Sequence, residues 1–305
     1  MAARLSGVSP VLEVPFTADG EIDVDSFAHL AHHVLGTGVG SVLFPAFASE
    51  FYKLTDDERE TLSAELYRVA TDHPAVTVIG SVPDHATRVA VARATRAVEA
   101  GAGAVNVLPP YLAGPPAAAV LAHCEAVLAA VAPTPVIIQY APVQTGSSLD
   151  VAAFARLRAA HPNLAAVKVE SNPPGRLIAA LAALDDPIPA FVGYAGLQMI
   201  DAHRRGAVGV QPGCSFVELY LAIWDALEAG DDERAAILHG RLLPWLSYWM
   251  QGVELIVAAE KEISVRRGLI STAHCRAPAW RLDAVELAAV DLFCATFSDE
   301  LGVHP

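Results

Sequence analysis

The 305-residue chain contains only three lysines, Lys53, Lys168 and Lys261. Lys168 follows Leu-Ala-Ala-Val inside the apolar run Leu164–Glu170. An amine held there loses hydration, which disfavours the ammonium form, lowers the pKa and exposes a neutral nucleophile. Glu170 lies two residues on, hence on the same face of an extended strand, as proton shuttle or as counter-ion. Tyr140 ends the preceding apolar run, Pro135–Ala141, with its phenol placed to relay protons or simply to line a rim. A stabilising pair with Glu170 or Glu50 would also account for Lys168. Burying an ammonium for stability alone is costly, however, and the apolar setting favours chemistry. Lysine, phenol and carboxylate on neighbouring strand ends suit imine formation with a carbonyl compound and movement of protons around it.

Other chemistries find less support. HExxH, GxSxG and P-loop patterns are absent, and GTGVGS at Gly36–Ser41 leaves a helix and enters a strand, the reverse of a dinucleotide loop. Glu13, Glu50 and Asp84 offer carboxylates, but no histidine joins them, so no metal is expected. His29, His32 and His33 share a helix and read as surface or interface residues. The cysteines, Cys124, Cys214, Cys275 and Cys294, form no CxxC pair, and Cys124 and Cys294 sit in helical patterns as small core residues. Twenty basic against 34 acidic side chains leave a net charge of −14, which repels nucleic acid and anionic membrane. No apolar run approaches the roughly 18 residues of a membrane span, and the N-terminus lacks a secretory pattern, so a cytoplasmic location is expected.

With 53% hydrophobic and 18% charged residues the chain has ample material for a core. Eight short apolar runs are positioned to be strands: Pro10–Phe16, Ser41–Ala46, Ala75–Val82, Ala104–Pro109, Pro135–Ala141, Leu164–Glu170, Ala190–Tyr194 and Ala207–Pro212. Near-continuous apolarity marks parallel strands covered on both faces. Helical patterns fill the intervals: Asp25–Gly36 carries an apolar stripe, and Thr55–Glu58 is a capping box. Eight β-then-α units predict a (β/α)8 TIM barrel over residues 1–215, with chemistry at the carboxyl ends of its strands. Residues 216–305 read as extra C-terminal helices, Val217–Ala229, Asp232–Met250, Val253–Arg267 and Leu282–Leu301. Their faces bearing Leu242, Leu243, Trp245 and Trp249 are expected to pack on the barrel or on another subunit.

Lys168 in VKVES, Tyr140 in QYAPVQTG, Glu50 in FPAFASEFYKLTDDER, and the segment RRGAVGVQPG together resemble the dihydrodipicolinate synthase / N-acetylneuraminate lyase superfamily over nearly the whole chain. The resemblance implies a barrel, a homo-oligomer (tetramer or dimer), and a Schiff base between Lys168 and pyruvate or another 2-oxo acid. It matches Tyr140 to the family's catalytic tyrosine. Departures are equally specific. Where the family reads Gly-Thr-Thr-Gly-Glu, this chain has Ala46, Phe47, Ala48, Ser49 and Glu50, so both threonine hydroxyls are gone and Ser49 and backbone amides are left to bind a carboxylate. Leu112 replaces a second tyrosine after Tyr111, Ala141 follows Tyr140 where the synthases have asparagine, and Pro142–Gly146 lacks their arginine. A lysine-precursor synthase is therefore not expected. Phe47, Leu112 and Tyr194 should make an apolar pocket, which Ala48, Ser49, Glu50, Tyr111 and Gln211 complete.

The reading that follows is a class I lyase or aldolase acting on a 2-oxo acid, with an aldehyde as second reactant. Lys168 is the nucleophile, and Tyr140 and Glu170 move protons. The imine on Lys168 serves as the only electron sink, with no cofactor. One alternative is a hydro-lyase on a 2-keto-3-deoxy acid through the same imine. Another is a non-catalytic barrel serving as a ligand sensor.

Overall fold

The computed structural model describes residues 5–112, 114–146 and 148–302. Eight parallel strands alternate with helices in a (β/α)8 barrel. They are β1 (Gly7–Val8), β2 (Ser41–Phe44), β3 (Thr77–Val82), β4 (Ala104–Val107), β5 (Val136–Tyr140), β6 (Leu164–Val169), β7 (Ala190–Val192) and β8 (Gly209–Val210). The sheet order is β1-β8-β7-β6-β5-β4-β3-β2. The expected first strand is a correction. Pro10–Phe16 is not a regular strand, and β1 lies just before it. Pro10 and Pro15 have no N–H to give a ladder, so the segment makes single bridges, from Val11 to Leu43 and Gly213 and from Phe16 to Ile22.

By its contacts the chain divides into two compact units, Met1–Ser9 with Thr77–Gln211, and Pro10–Val76 with Pro212–Pro305. The first unit carries β1 and β3 to β8 with α3 (Thr87–Glu99), α4 (Ala117–Val131), the single turn α5 (Pro142–Thr145), α6 (Val151–Ala160), α7 (Pro174–Ala182) and α8 (Met199–Arg204). Its strands are buried on both faces, in keeping with their unbroken apolar runs. Register places Lys168 beside Gln139 on β5 and beside Phe191 on β7.

The second unit holds β2, α1 (Val24–Gly36), α2 (Asp56–Ala70) and the C-terminal helices. In α2 the Thr55 hydroxyl accepts from Glu58 N at 3.2 Å and Thr55 N donates to the Glu58 carboxylate at 2.9 Å, so the predicted capping box is formed. The tail comprises α9 (Val217–Glu228), α10 (Asp232–Trp249), α11 (Val253–Arg266), α12 (Ala284–Thr296) and the short α13 (Ser298–Leu301). The single helix expected over Leu282–Leu301 is interrupted at Phe297, whose φ of −116° leaves the helical region. Leu242 and Trp249 are fully buried, and Trp245, Trp249 and Phe216 meet Phe293 at ring distances of 5.1–5.7 Å, an aromatic core within the tail. Among the described residues no helix is long and apolar enough to cross a membrane.

Candidate active site

In the first unit, Lys168 projects from β6 on the inward face of the sheet and is 3% exposed. Its Nζ lies 3.4 Å from Glu170 Oε1, the carboxylate predicted to share its face. Glu170 is held in turn: its backbone N–H donates to Tyr140 O at 2.8 Å, and Gln139 Nε2 donates to its Oε2 at 2.7 Å. Gln139 Oε1 accepts from Asn106 Nδ2 at 3.1 Å, and the same Nδ2 donates to Ser81 Oγ at 2.9 Å. A polar file thus runs inward-facing across β3, β4, β5 and β6, through Ser81, Asn106, Gln139, Glu170 and Lys168. Gly193, just past β7, makes room for it. A Cβ there would sit 2.3 Å from Glu170 Cγ, so only glycine fits.

Tyr140, the expected proton relay, takes the other face of β5. Side chains alternate along a strand, and with Gln139 turned inward Tyr140 turns outward. Its ring meets Phe154 of α6 edge-on at 5.5 Å. The place beside Lys168 on β5 belongs to Gln139, which sequence reading passed over because a glutamine in an apolar run looked incidental beside a neighbouring phenol. The period-two alternation counted from Ile137 was the signal that could have found it.

A phenol does stand on the site side. Tyr194 OH donates to Gln144 Oε1 at 3.3 Å, and burial, with the negative charge of Glu170, pushes its pKa up. Its φ of 49° and that of Ala195, 48°, are left-handed. A bulky residue in that region carries strain of the kind that collects at functional sites. Gln211, after β8, is 2% exposed, with Nε2 3.3 Å from Ser9 Oγ and Oε1 without a partner. Tyr111 is half-buried, whereas Leu112 is 58% exposed and its backbone N–H donates to His85 Nδ1 at 3.1 Å. Leu112 therefore faces solvent in this chain rather than lining an apolar pocket.

The residues expected after β2 serve another purpose in the second unit. Glu50 is fully buried; Oε2 accepts from Lys53 at 2.8 Å and Oε1 from Lys261. Lys261 also donates to His274 O at 3.0 Å, and Lys53 to Glu254 at 2.6 Å. Glu50 is thus the centre of a buried charge network, with both oxygens taken, rather than a free ligand group. The Ser49 hydroxyl is likewise committed, accepting from Ala46 N at 3.0 Å and donating to Leu12 O at 2.5 Å. Phe47 and Ala48 are half-buried, and Phe47 packs on Phe51 at 5.4 Å. Among the described residues no cluster of three or more His, Cys, Asp or Glu could hold a metal ion.

A family model described as the dihydrodipicolinate synthetase family matches residues 4–292. The chain is 32% identical to the 4-hydroxy-tetrahydrodipicolinate synthase of Acidothermus cellulolyticus over 264 residues, covering 84% of this chain and 82% of that one. It is 30% identical to the synthase of Xanthomonas campestris pv. campestris over 296 residues, covering 95% and 94%. Among solved structures, dihydrodipicolinate synthase from Rhodopseudomonas palustris superposes with a TM-score of 0.88 at 21% identity, over 97% of this chain and 98% of that one. YagE, a prophage protein of the dihydrodipicolinic acid synthase family from E. coli K12 solved in complex with pyruvate, gives 0.86 at 23%, over 98% and 99%.

Proposed function

The chain belongs to the dihydrodipicolinate synthetase family, and from that premise we propose that it is a class I lyase that makes or cleaves a C–C bond of a pyruvate-type 2-oxo acid through an imine on Lys168. One observation carries the reading: of the three lysines, two are tied to Glu50, and the third stands buried on the inward barrel face beside a single carboxylate. In this reading the Lys168 amine attacks the keto carbon and water leaves. The imine nitrogen then draws the electron pair released when a C–C bond breaks or a C3–H bond ionises. Glu170 Oε1 takes the proton and returns it to the enamine carbon, and hydrolysis frees the amine. No further cofactor is needed, because the imine is the electron sink. The family relative YagE, which binds pyruvate, supports a pyruvate-like keto half.

The departures from the synthases support a different second reactant. A hydro-lyase acting on a 2-keto-3-deoxy acid gains from one observation: Asn106 Oδ1 and Gln211 Oε1 are buried acceptors without partners, suited to substrate hydroxyls. Product analysis separates the two, since a lyase releases pyruvate and an aldehyde whereas a hydro-lyase yields a dehydrated acid of full length.

Borohydride trapping across a panel of 2-oxo acids, read by intact and peptide mass spectrometry, tests the mechanism. A stable adduct on Lys168 is expected, largest with the true keto half. Absence of any adduct from folded protein would reject the imine and favour a ligand-binding barrel.

A further inference from the structure

The orientation of every amide in the file from Ser81 to Glu170 follows from one ionised carboxylate. A carboxylate only accepts, so the atom Gln139 turns toward Glu170 Oε2 is its NH2 group, at 2.7 Å. Gln139 therefore presents its carbonyl oxygen to Asn106, and Asn106 answers with its own NH2, at 3.1 Å. The second N–H of that group goes to Ser81 Oγ at 2.9 Å. Turning Gln139 over would set two acceptors against each other at Glu170 and two donors at Asn106, so the amide is locked. The arrangement leaves Asn106 Oδ1 buried without a partner, a penalty that stability alone would have removed.

A proton on Glu170 Oε2 would collide with the N–H of Gln139. Oε1 is the remaining site, and it is the oxygen 3.4 Å from Lys168 Nζ. On the imine reading above, we propose that Gln139 is the positioning residue of this site: it blocks Oε2 and makes Oε1 the one atom through which Glu170 takes a proton from the Lys168-bound substrate and gives it back. The charged and titratable groups facing Glu170 are Lys168 on its own strand and the Tyr194 phenol from the turn after β7. Gln139 approaches from β5 as a neutral donor.

Two variants read this without depending on one another. Gln139→Leu keeps the volume and removes the donor. The ionised base loses a hydrogen bond, so the acid limb of kcat/KM is expected about one pH unit higher, with kcat down about tenfold and KM little changed. Borohydride trapping should still give one adduct on Lys168. Asn106→Leu adds no charge and does not touch Glu170, but it withdraws the N–H that fixes Gln139 Oε1 and so frees the amide to turn over. It should move the acid limb in the same direction and add nothing in the double variant with Gln139→Leu. Should Gln139→Leu fail to fold, the Asn106→Leu profile decides alone. Trapping in the wild type with acid limbs that stay in place in the folded variants overturns this inference and leaves the imine intact. Failure to trap in the wild type overturns both.

Discussion

Lys168 was legible from the sequence because lysine is so scarce here and because its surroundings are so apolar; burial at 3% exposure beside Glu170 matches that expectation. Lys168→Arg retains a cation but forms no imine, so turnover should disappear while the far-ultraviolet dichroism stays that of the wild type; turnover near the wild-type rate would remove Lys168 from the mechanism. The face Tyr140 takes was not legible, because a strand end offers two faces and only the register distinguishes them. Its ring packs on Phe154, outside the polar file. Tyr140→Phe should therefore lower kcat less than tenfold, whereas Glu170→Gln, which removes the proton acceptor, should lower it roughly 10²–10⁴-fold. Steady-state rates of both variants side by side test the assignment, and the reverse order would restore Tyr140. The places of Gln139 and Asn106 in the polar file were invisible in the sequence, since a single amide in a hydrophobic run carries no spacing signal until its neighbours on adjacent strands are known.

Elements were easier to read than contacts. Long apolar runs located β2 to β8, with the expected runs longer than the strands for β7 and β8, and the Thr55 capping box marked the start of α2, because those signals are local. The two-residue β1 carries no such signal, and two prolines disguised the irregular stretch that follows it as a strand. At the N-terminus of α2, Glu58 does more than cap: Arg276 reaches across to it, and that guanidinium, against the cost of burial, holds the Glu58 pKa down at about 2. A carboxylate with a depressed folded-state pKa adds stability above its unfolded value, near 4.5, and forfeits it as the pH falls toward 2. Arg276→Ala should thus be less stable than the wild type at pH 6, by about 1–2 kcal/mol, and the gap should narrow by pH 3. Urea unfolding at the two pH values measures this, and a gap independent of pH would assign the loss to packing against Phe16, over which Arg276 also lies.

At the scale of the whole molecule, the second unit buries more charge than composition suggested. Glu13 is 1% exposed with neither oxygen hydrogen-bonded, and burial raises its pKa, although Ser264, Lys261 and Arg267 pull the other way. Glu260, 3% exposed, is raised by burial and by Glu13 in turn. An acid with a raised folded-state pKa stabilises below its unfolded value and penalises the fold as the pH rises toward the folded one. Glu13→Gln should therefore melt higher than the wild type at pH 8 and equal it near pH 4; an unchanged difference across that range would show that Glu13 does not titrate. The Glu50 network was hidden from sequence for a related reason, because Lys261 and Glu254 lie more than 200 residues from Glu50 and Lys53. Its existence settles the surface chemistry of the protein. The three lysine side chains are 4%, 4% and 0% exposed, so the exterior cations are arginines. Among the described residues, amine-directed crosslinkers, fixatives and fluorophores will find almost no lysine amine to grip on the native protein. A reagent that reaches an ε-amine without unfolding the chain will be reporting from a buried ion pair, beside Glu170 or in the Glu50 network.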